Sequence, residues 1–174
     1  YDIYCATNDG TKVLSSKVDF ATNAGGTQAA TKTIAESGTT TRTLTITLNV
    51  NAAMAIGDII TIAGLTGTAT DDAAGLTIAG ADAAKFSVSS TTSKGGWTKS
   101  SGTLVLTANT GVNANTNIVV TVDLAEPTLT QSAVTARIYP NFAAGSLAET
   151  VLTGSVLAFT APAASAITKT ISKL

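Results

Sequence analysis

Apolar and polar residues alternate strictly over several short stretches of this chain. In TTTRTLTITLNV, threonines stand at 39, 41, 43, 45 and 47, and leucine, isoleucine and valine occupy 44, 46, 48 and 50. The same alternation recurs in GDIITIAGL (57–65), KFSVSS (85–90), GTLVLTA (102–108), NIVVTVDLA (117–125) and SAVTARIY (132–139). A period of two is that of a strand with one buried face. The pattern therefore predicts short β-strands.

Turn-forming residues separate these strands. They cluster at 8–10, 23–26, 71–72, 94–96 and 113–115, and such clusters end one strand before the next begins. The stretch 80–85 is the only helical candidate, and it is long enough for a single turn. Half-buried strands with a turn about every eight to twelve residues are typical of a β-sandwich. We therefore expect an all-β fold, an Ig-like antiparallel β-sandwich.

The alternation also predicts the core. It is expected to contain Leu44, Ile46, Leu48, Ile60, Ile62, Leu65, Phe86, Val88, Trp97, Leu104, Leu106, Ile118, Val120, Val122, Leu124, Val134 and Ile138.

The two ends of the chain resemble one another. DIY (2–4), VLSSKV (13–18), Phe20 and ATKTI (30–34) reappear in the same order as RIY (137–139), VLTGSV (151–156), Phe159 and ITKTI (167–171). The offsets are 135, 138, 139 and 137 residues. We interpret this as a repeat of sandwich size, far longer than a solenoid unit. The chain would then hold one unit and the opening of another.

This repeat predicts the domain organisation. Residues 1–37 would be a connecting segment with edge strands, 38–137 the sandwich core, and 138–174 the start of the next repeat or a donated strand equivalent to 1–37. Both a covalent tandem array and strand donation between chains make a linear object. The residues expected to form contacts between units are Tyr1, Tyr4, Val13, Val18, Phe20, Ile34, Tyr139, Val151, Val156, Phe159, Ile167 and Ile171.

Composition restricts the partners. The net charge is −1 and only 12% of residues are charged, so nothing favours nucleic acid as a partner. No apolar stretch reaches the length of a membrane span, and we expect no membrane insertion. The opening YDIYCATNDG has no basic region followed by an apolar run, so we expect either that a signal peptide was removed or that this is a segment of a longer chain. Threonine is the commonest residue and no Asn-x-Ser/Thr sequon occurs, so glycans would be O-linked.

The residue inventory argues against catalysis. Histidine is absent and Cys5 is the only cysteine, which leaves no Ser-His-Asp or Cys-His arrangement and no zinc site built from those ligands. We expect no enzyme and no cofactor. Asp71 and Asp72 are candidates for a weak Ca²⁺ site, although solvated turn residues are the simpler interpretation. Trp97 is expected to pack in the core rather than to stack on a sugar. Cys5 is either a small buried hydrophobe or a bridge to another chain.

Three motifs carry a resemblance to a known family. They are Gly64-Leu65-Thr66-Gly67, the stretch WTKSSGTLVL (97–106), and the strand 118–124 followed by Ala125-Glu126-Pro127. Over roughly residues 40–138 the chain resembles the Ig-like repeats of large extracellular proteins of marine microbial eukaryotes. That resemblance implies tandem β-sandwiches at a cell surface with adhesive or structural roles, and it brings no catalytic or ligand residues.

These observations predict a structural subunit of an extracellular filament, surface appendage or fibre, made of identical subunits or adjacent repeats. A monomeric adhesin or glycan-binding module is the alternative. The threonine row also raises ice binding, which requires several flat parallel ranks of threonines. The sequence offers one long rank and scattered pairs such as Thr31/Thr33 and Thr168/Thr170. A solvated face or a subunit contact explains the row more simply, because β-branched threonine favours strands.

Overall fold

The computed structural model describes residues 29–161, and this part of the chain is all-β. Its strands are β1 (Ala29–Ser37), β2 (Thr41–Val50), β3 (Ile59–Ala63), β4 (Ala73–Ala79), β5 (Ser87–Val88), β6 (Thr91–Thr92), β7 (Lys94–Thr98), β8 (Thr103–Thr107), β9 (Ile118–Ala125), β10 (Arg137–Asn141) and β11 (Thr150–Val151). A 3-10 helix, Ala83–Lys85, occupies the one stretch with helical character. Within residues 29–161 no helix is long and apolar enough to cross a membrane.

Nine of these strands form one sheet in the order β1-β2-β9-β4-β7-β8-β3-β10-β11, and β5 and β6 form a separate hairpin. Every strand pair in the large sheet is antiparallel. Strand β4 is shared: Ile78 and Ala79 pair with β9, whereas Ala73, Leu76 and Thr77 pair with β7. The sheet therefore passes from one layer to the other at β4, and the prediction of an all-β sandwich-like fold is confirmed.

The two halves of the sheet enclose one hydrophobic core. Inward side chains of β2 and β9 share a single cluster with those of β3, β8 and β10. Every predicted core residue is buried except two: Val88 and Val134 are half-buried, and Val134 packs against the cluster. Further buried residues include Val50, Met54 and Ile78, together with several from the ends of the described region.

The threonine-rich strand β2 lies between β1 and β9. Its residues from Leu44 to Val50 alternate between buried and half-buried, with the apolar residues inside and the threonines outside. The alternation along β2 thus indicates that one face of the strand lies in the core and the other is turned away from it.

The prediction of a turn at 94–96 is wrong, because these residues begin strand β7. Gly95 is buried beside the side chains of Leu104 and Leu106, where a Cβ would come within 2.9 Å of both. Glycine inside a strand often marks such a close approach. Gly95 is therefore explained by close packing and not by a reversal of the chain.

Residues 147–159, here called the closing segment, run along the end of the sheet that carries β10 and β11. They include β11, and after it they contact β1 at the opposite end of the strand order. The described parts of both predicted connecting segments, 29–37 and 138–161, therefore belong to the same sandwich as 38–137. Residues 1–28 and 162–174 lie outside the described residues.

Candidate inter-subunit surfaces

The residues predicted to contact neighbouring units fall into different environments. Ile34 and Val156 are 3% and 1% exposed, so their own chain already covers them. Tyr139 and Phe159 are half-buried, and Val151 is 41% exposed. The other seven predicted residues lie outside the described residues: Tyr1, Tyr4, Val13, Val18, Phe20, Ile167 and Ile171. Of the predicted contact residues that the structure describes, only Val151 is exposed; Ile56 and Leu129, which were not predicted, are 74% and 77% exposed.

The closing segment first pairs with β10 and the residue before it. The main-chain N–H of Leu147 donates to the carbonyl of Pro140 at 3.0 Å, and Arg137 and Ile138 pair with Val151 and Thr150. The N–H of Leu152 then donates to the carbonyl of Ala136 at 2.9 Å. Pro140 has no N–H to donate. Proline is therefore tolerated in β10, which is not hydrogen-bonded on both sides along its whole length.

The closing segment next reaches β1, and this contact is parallel. Thr33 and Thr153 are bridge partners. The N–H of Ile34 donates to the carbonyl of Thr153 at 3.0 Å, and the N–H of Thr153 donates to the carbonyl of Lys32 at 2.8 Å. These bonds join the first strand of the sheet order to the segment beyond the last, so they cover sheet edges that would otherwise present unpaired main-chain groups.

Gly154 makes this approach possible. Its φ is +129°, and a Cβ at this position would overlap the carbonyl oxygen of Ile34. Any other residue would meet both a strained backbone and a steric clash. The absence of a side chain here lets the closing segment lie directly against β1.

Beyond Gly154 the segment crosses to the stretch before β10. Val156 and Val134 exchange two main-chain hydrogen bonds of 3.1 and 2.8 Å, and Phe159 and Gln131 exchange two of 3.0 and 2.9 Å. The side-chain amide of Gln131 also donates to the carbonyl of Leu157 at 2.6 Å. The closing segment is therefore held by main-chain bonds along most of its length.

Three charged residues meet where β1 and β9 end and β2 begins. Arg42 donates to Glu36 and to Glu126, each at 2.8 Å. The other carboxylate oxygen of Glu36 accepts the N–H of Leu157 at 2.6 Å. The side chains of Arg42 and Glu36 are only 16% and 15% exposed. Glu36 thus links the charged cluster to the closing segment.

The pKa of Arg42 is raised above its ordinary value. The hydrogen bond to Glu126 is the main cause; partial burial opposes it, and the contact with Glu36 adds to it. Among the described residues the Nε of Arg42 is buried without a hydrogen-bond partner. The guanidinium is therefore held by its two terminal nitrogens.

Sequence reasoning missed this cluster, although the pattern carried a signal. Arg42 is two and four residues before Leu44 and Ile46, and Glu36 is two residues after Ile34. Continued alternation places both on the inward side of their strands. A basic and an acidic residue at the inward ends of neighbouring strands predict an ion pair that covers the core.

The outer side of β1, β2 and β9 forms a second surface, here called the threonine face. Its members lie in ranks across the strands: Thr33 pairs with Thr47 and Thr47 with Val119, while Ala35 pairs with Thr45 and Thr45 with Thr121. Threonines that are scattered in sequence thus become neighbours. In the row of paired residues nearest the charged cluster, Thr43 pairs with Asp123. The carboxylate of Asp123 accepts a hydrogen bond from the hydroxyl of Thr43 at 2.6 Å.

The remaining candidates have structural partners. Trp97 is 3% exposed and its indole N–H donates to the carbonyl of Thr70 at 3.2 Å, which confirms that it packs in the core. Asp71 contacts the ammonium of Lys99 at 2.9 Å, and Asp72 accepts the N–H of Lys99 at 2.6 Å. Within residues 29–161 no group of three or more His, Cys, Asp or Glu side chains is arranged to hold a metal ion. Cys5 lies outside the described residues.

A depression of about 280 Å³ lies where β4 leaves β9. Leu76, Thr77, Ile78, Ala79, Thr121 and Asp123 line it. Asp123 is the only charged side chain among them, and its carboxylate already binds Thr43. The depression therefore lacks the convergent polar groups that orient a small ligand.

No protein-family model matches this chain, and no curated protein matches it. The case for a function therefore depends on the closing segment, the threonine face and the sequence repeat.

Proposed function

We propose that this protein is a structural subunit of an extracellular filament, surface appendage or fibre, whose sandwich units are linked end to end through the terminal segments of the chain. The observation that carries the proposal is the sequence repeat. Of the repeated motifs, 30–34 lies in β1, and 137–139, 151–156 and Phe159 lie in β10 and the closing segment. These two parts of the chain meet to complete the sandwich.

The completeness of the sandwich supports this reading. Residues 29–161 supply β1, β2 and β9 as well as β10 and the closing segment. The repeat copies at residues 2–20 and 167–171 lie outside the described residues. In this proposal they link the unit to a unit before and a unit after.

Low charge supports close contact between subunits. The threonine face contains Asp123 and otherwise mainly hydroxyl and small apolar side chains. Such a surface can pack against a neighbour while few charges lose their water. We assign lateral contact between filaments or subunits to this face.

Electron microscopy of the native material, combined with intact mass, tests the proposal. We expect linear assemblies. A mass near 17.3 kDa per chain would assign the links to non-covalent contacts, whereas a much larger mass would assign them to a covalent array of repeats. A monodisperse monomer at all concentrations, retained on a polysaccharide column, would instead support the adhesin or glycan-binding alternative.

Ice binding is a second candidate, because the threonines of β1, β2 and β9 lie side by side in ranks. Neighbouring strands of a sheet are twisted by roughly 20° or more relative to one another, which disfavours a flat array. Replacement of Thr43 and Thr45 by lysine tests it. Loss of ice-crystal shaping would support the candidate, and the absence of shaping by the unmodified protein would remove it.

A further inference from the structure

We propose that the two ends of the sandwich form one contact between successive units, in which Leu129 of one copy packs against the loop that carries Ile56 in the next copy. The partner is thus a second copy of this sandwich. This inference rests on the proposed function and identifies where the sandwiches themselves touch.

The strand directions give the sandwich two distinct ends. At one of them, here called the entry end, β1, β3 and β9 begin and β2 and β8 finish. At the other, here called the exit end, β9 finishes and β10 begins. The loops 51–58 and 142–146 therefore lie at the entry end, and the loop 126–136 lies at the exit end.

The closing segment runs from the entry end to the exit end, because it is parallel to β1 where Thr33 and Thr153 pair. At the exit end the N–H of Ala161 donates to the hydroxyl of Thr130 at 2.9 Å. The described chain thus enters the sandwich at one end with β1 and leaves it at the other, next to Leu129. Units linked through their terminal segments therefore place the exit end of one against the entry end of the next.

The two most exposed large apolar side chains of residues 29–161 lie at these opposite ends. Ile56 lies between β2 and β3 at the entry end, and Leu129 lies between β9 and β10 at the exit end. Each is therefore available at the junction that successive units share, and contact between them removes both from water.

The loop of Ile56 is held from the inside. The N–H of Asp58 donates to the carbonyl of Ala55 at 3.2 Å and closes a turn, in which Gly57 has a φ of +89°, as the third residue of a type II turn requires. The carboxylate of Asp58 is buried and accepts the N–H groups of Ala55 and Ala143, at 2.6 and 2.9 Å. Ile56 fills the second position of this turn, where turn geometry does not require an apolar residue.

The loop of Leu129 is also fixed by its neighbours. Gln131 exchanges two main-chain hydrogen bonds with Phe159, and its side-chain amide donates to the carbonyl of Thr66 at 3.3 Å. The hydroxyl of Thr130 is bound to the closing segment. Loops that are already ordered lose little conformational entropy when they form a contact.

The surfaces at both ends are poor in charge. The stretches 51–57, 109–117 and 142–147 at the entry end contain no charged residue, nor does 127–136 at the exit end. Depletion of charge is typical of the centre of a protein interface. The exposed residues that share the entry end with Ile56 include Ala53, Ala55, Ala143 and Ala144. The two ends can therefore approach one another without removing charges from water.

The contact joins two different surfaces, so it does not close between two copies and it continues as a line. One protruding side chain on each end contributes a small part of the roughly 800 Å² that each partner buries in a stable interface. The contact therefore sets how the sandwiches face one another, while the terminal segments supply the link.

Charged substitutions in the 174-residue chain test the contact. Ile56→Glu and Leu129→Lys should each raise the protein concentration needed for assembly severalfold, because each brings an unpaired charge into the contact. The double variant places opposite charges together and should assemble at a lower concentration than either single variant. Both single variants should unfold at the urea concentration of the unmodified chain, since the two side chains are exposed. Thr61→Glu is a control, because Thr61 lies in the middle of β3, away from both ends.

Cysteine cross-linking tests which ends meet, in a background where Cys5→Ser removes the native thiol. A chain with Ile56→Cys mixed with a chain carrying Leu129→Cys should form a disulfide-linked pair under mild oxidation. Either chain alone should form few such pairs. Cross-linking of position 56 to 56 or of 129 to 129 in preference to 56 to 129 would show that like ends meet, and would overturn the inference.

The outcomes separate the two proposals. Failure of the unmodified protein to assemble would contradict the proposed function and this inference with it. Assembly that neither single variant weakens, a double variant in which the two losses simply add, or the absence of a cross-link between 56 and 129 would contradict the end-to-end contact alone.

Discussion

Gly154 and Glu36 hold the closing segment against β1 in different ways. Gly154 permits the contact by having no side chain, since a Cβ would overlap the carbonyl of Ile34. Glu36 adds an acceptor for the N–H of Leu157. One residue therefore acts through steric fit and the other through a charge-assisted hydrogen bond.

The steric role of Gly154 predicts a large effect of Gly154→Ala. Gly57 is a matched control, because its φ is also positive, at +89°, and a Cβ there would meet nothing within 4 Å. Gly57→Ala should cost about 1 kcal/mol of unfolding free energy for backbone strain alone. Gly154→Ala should cost about 2 kcal/mol more, because it also forces the strands apart. Urea denaturation measures both, and equal losses would contradict the steric role.

The acceptor role of Glu36 predicts that Glu36→Ala lowers the unfolding free energy by about 2 kcal/mol, since a hydrogen bond to a charged group is lost and Leu157 N–H is left unpaired. Glu36→Gln keeps one oxygen acceptor and should cost less. Hydrogen exchange at the amide of Leu157 reports the local effect. Unchanged protection of that amide in Glu36→Ala would argue against the contact.

The charge of Arg42 should not respond to pH in the physiological range. Its pKa is raised in the folded state, so the stability it contributes is fully present below the ordinary arginine pKa and is lost only as pH rises through the higher folded value. Salt is the more informative variable, because ionic screening weakens an ion pair that remains partly exposed.

The closing segment acts as an element because its residues alternate between the core and the surface. Leu152 is 1% exposed, whereas its neighbour Val151 is 41% exposed. Only Thr150 and Val151 of the closing segment form a strand. The segment nevertheless contributes buried side chains and main-chain hydrogen bonds to both ends of the sheet order.

This alternation predicts contrasting effects of two neighbouring substitutions. Leu152→Ala removes a fully buried side chain and should cost about 3 kcal/mol of unfolding free energy. Val151→Ala removes an exposed one and should cost less than about 0.5 kcal/mol. Thermal and urea unfolding measure the two, and similar losses would mean that the closing segment does not pack as described. If Val151 contacts a neighbouring subunit, Val151→Ala should weaken assembly while leaving this stability unchanged.

At the scale of the whole molecule, residues 29–161 form one sandwich, and the repeat copies at 2–20 and 167–171 lie outside the described residues. Residues 29–161 enclose one core and cover the ends of their own sheet order. Folding and assembly should therefore depend on different parts of the chain.

A fragment of residues 29–161 tests this separation. It should unfold cooperatively, because residues 29–161 enclose one hydrophobic core, and the proposed role of the flanking copies in assembly predicts a stability close to that of the full chain. It should remain monomeric at concentrations where the full chain assembles, as judged by light scattering and electron microscopy. Assembly of the fragment would show that subunits contact one another through the sandwich surface, and the threonine face would be the first surface to test.

The amino-acid sequence by itself predicted the all-β class, several of the strands and most of the core, but not strand β4 (Ala73–Ala79). Strict alternation around Leu44, Ile46 and Leu48, or from Ile118 to Leu124, predicts which side chains are buried, because a strand turns successive residues to opposite faces. The turn predicted at 94–96 failed because local composition does not distinguish a glycine that reverses the chain from one that lets Leu104 and Leu106 approach a strand.

Only the tertiary structure decided which strands are neighbours. Thr31 and Thr33 look like an isolated pair in sequence, and they lie beside β2 because β1 pairs with it. The parallel contact between Thr33 and Thr153, and the meeting of Glu36 with Leu157, join residues more than a hundred positions apart. Alternation gives the face of each strand but not its partner, since pairing depends on how all the strands close together around one core.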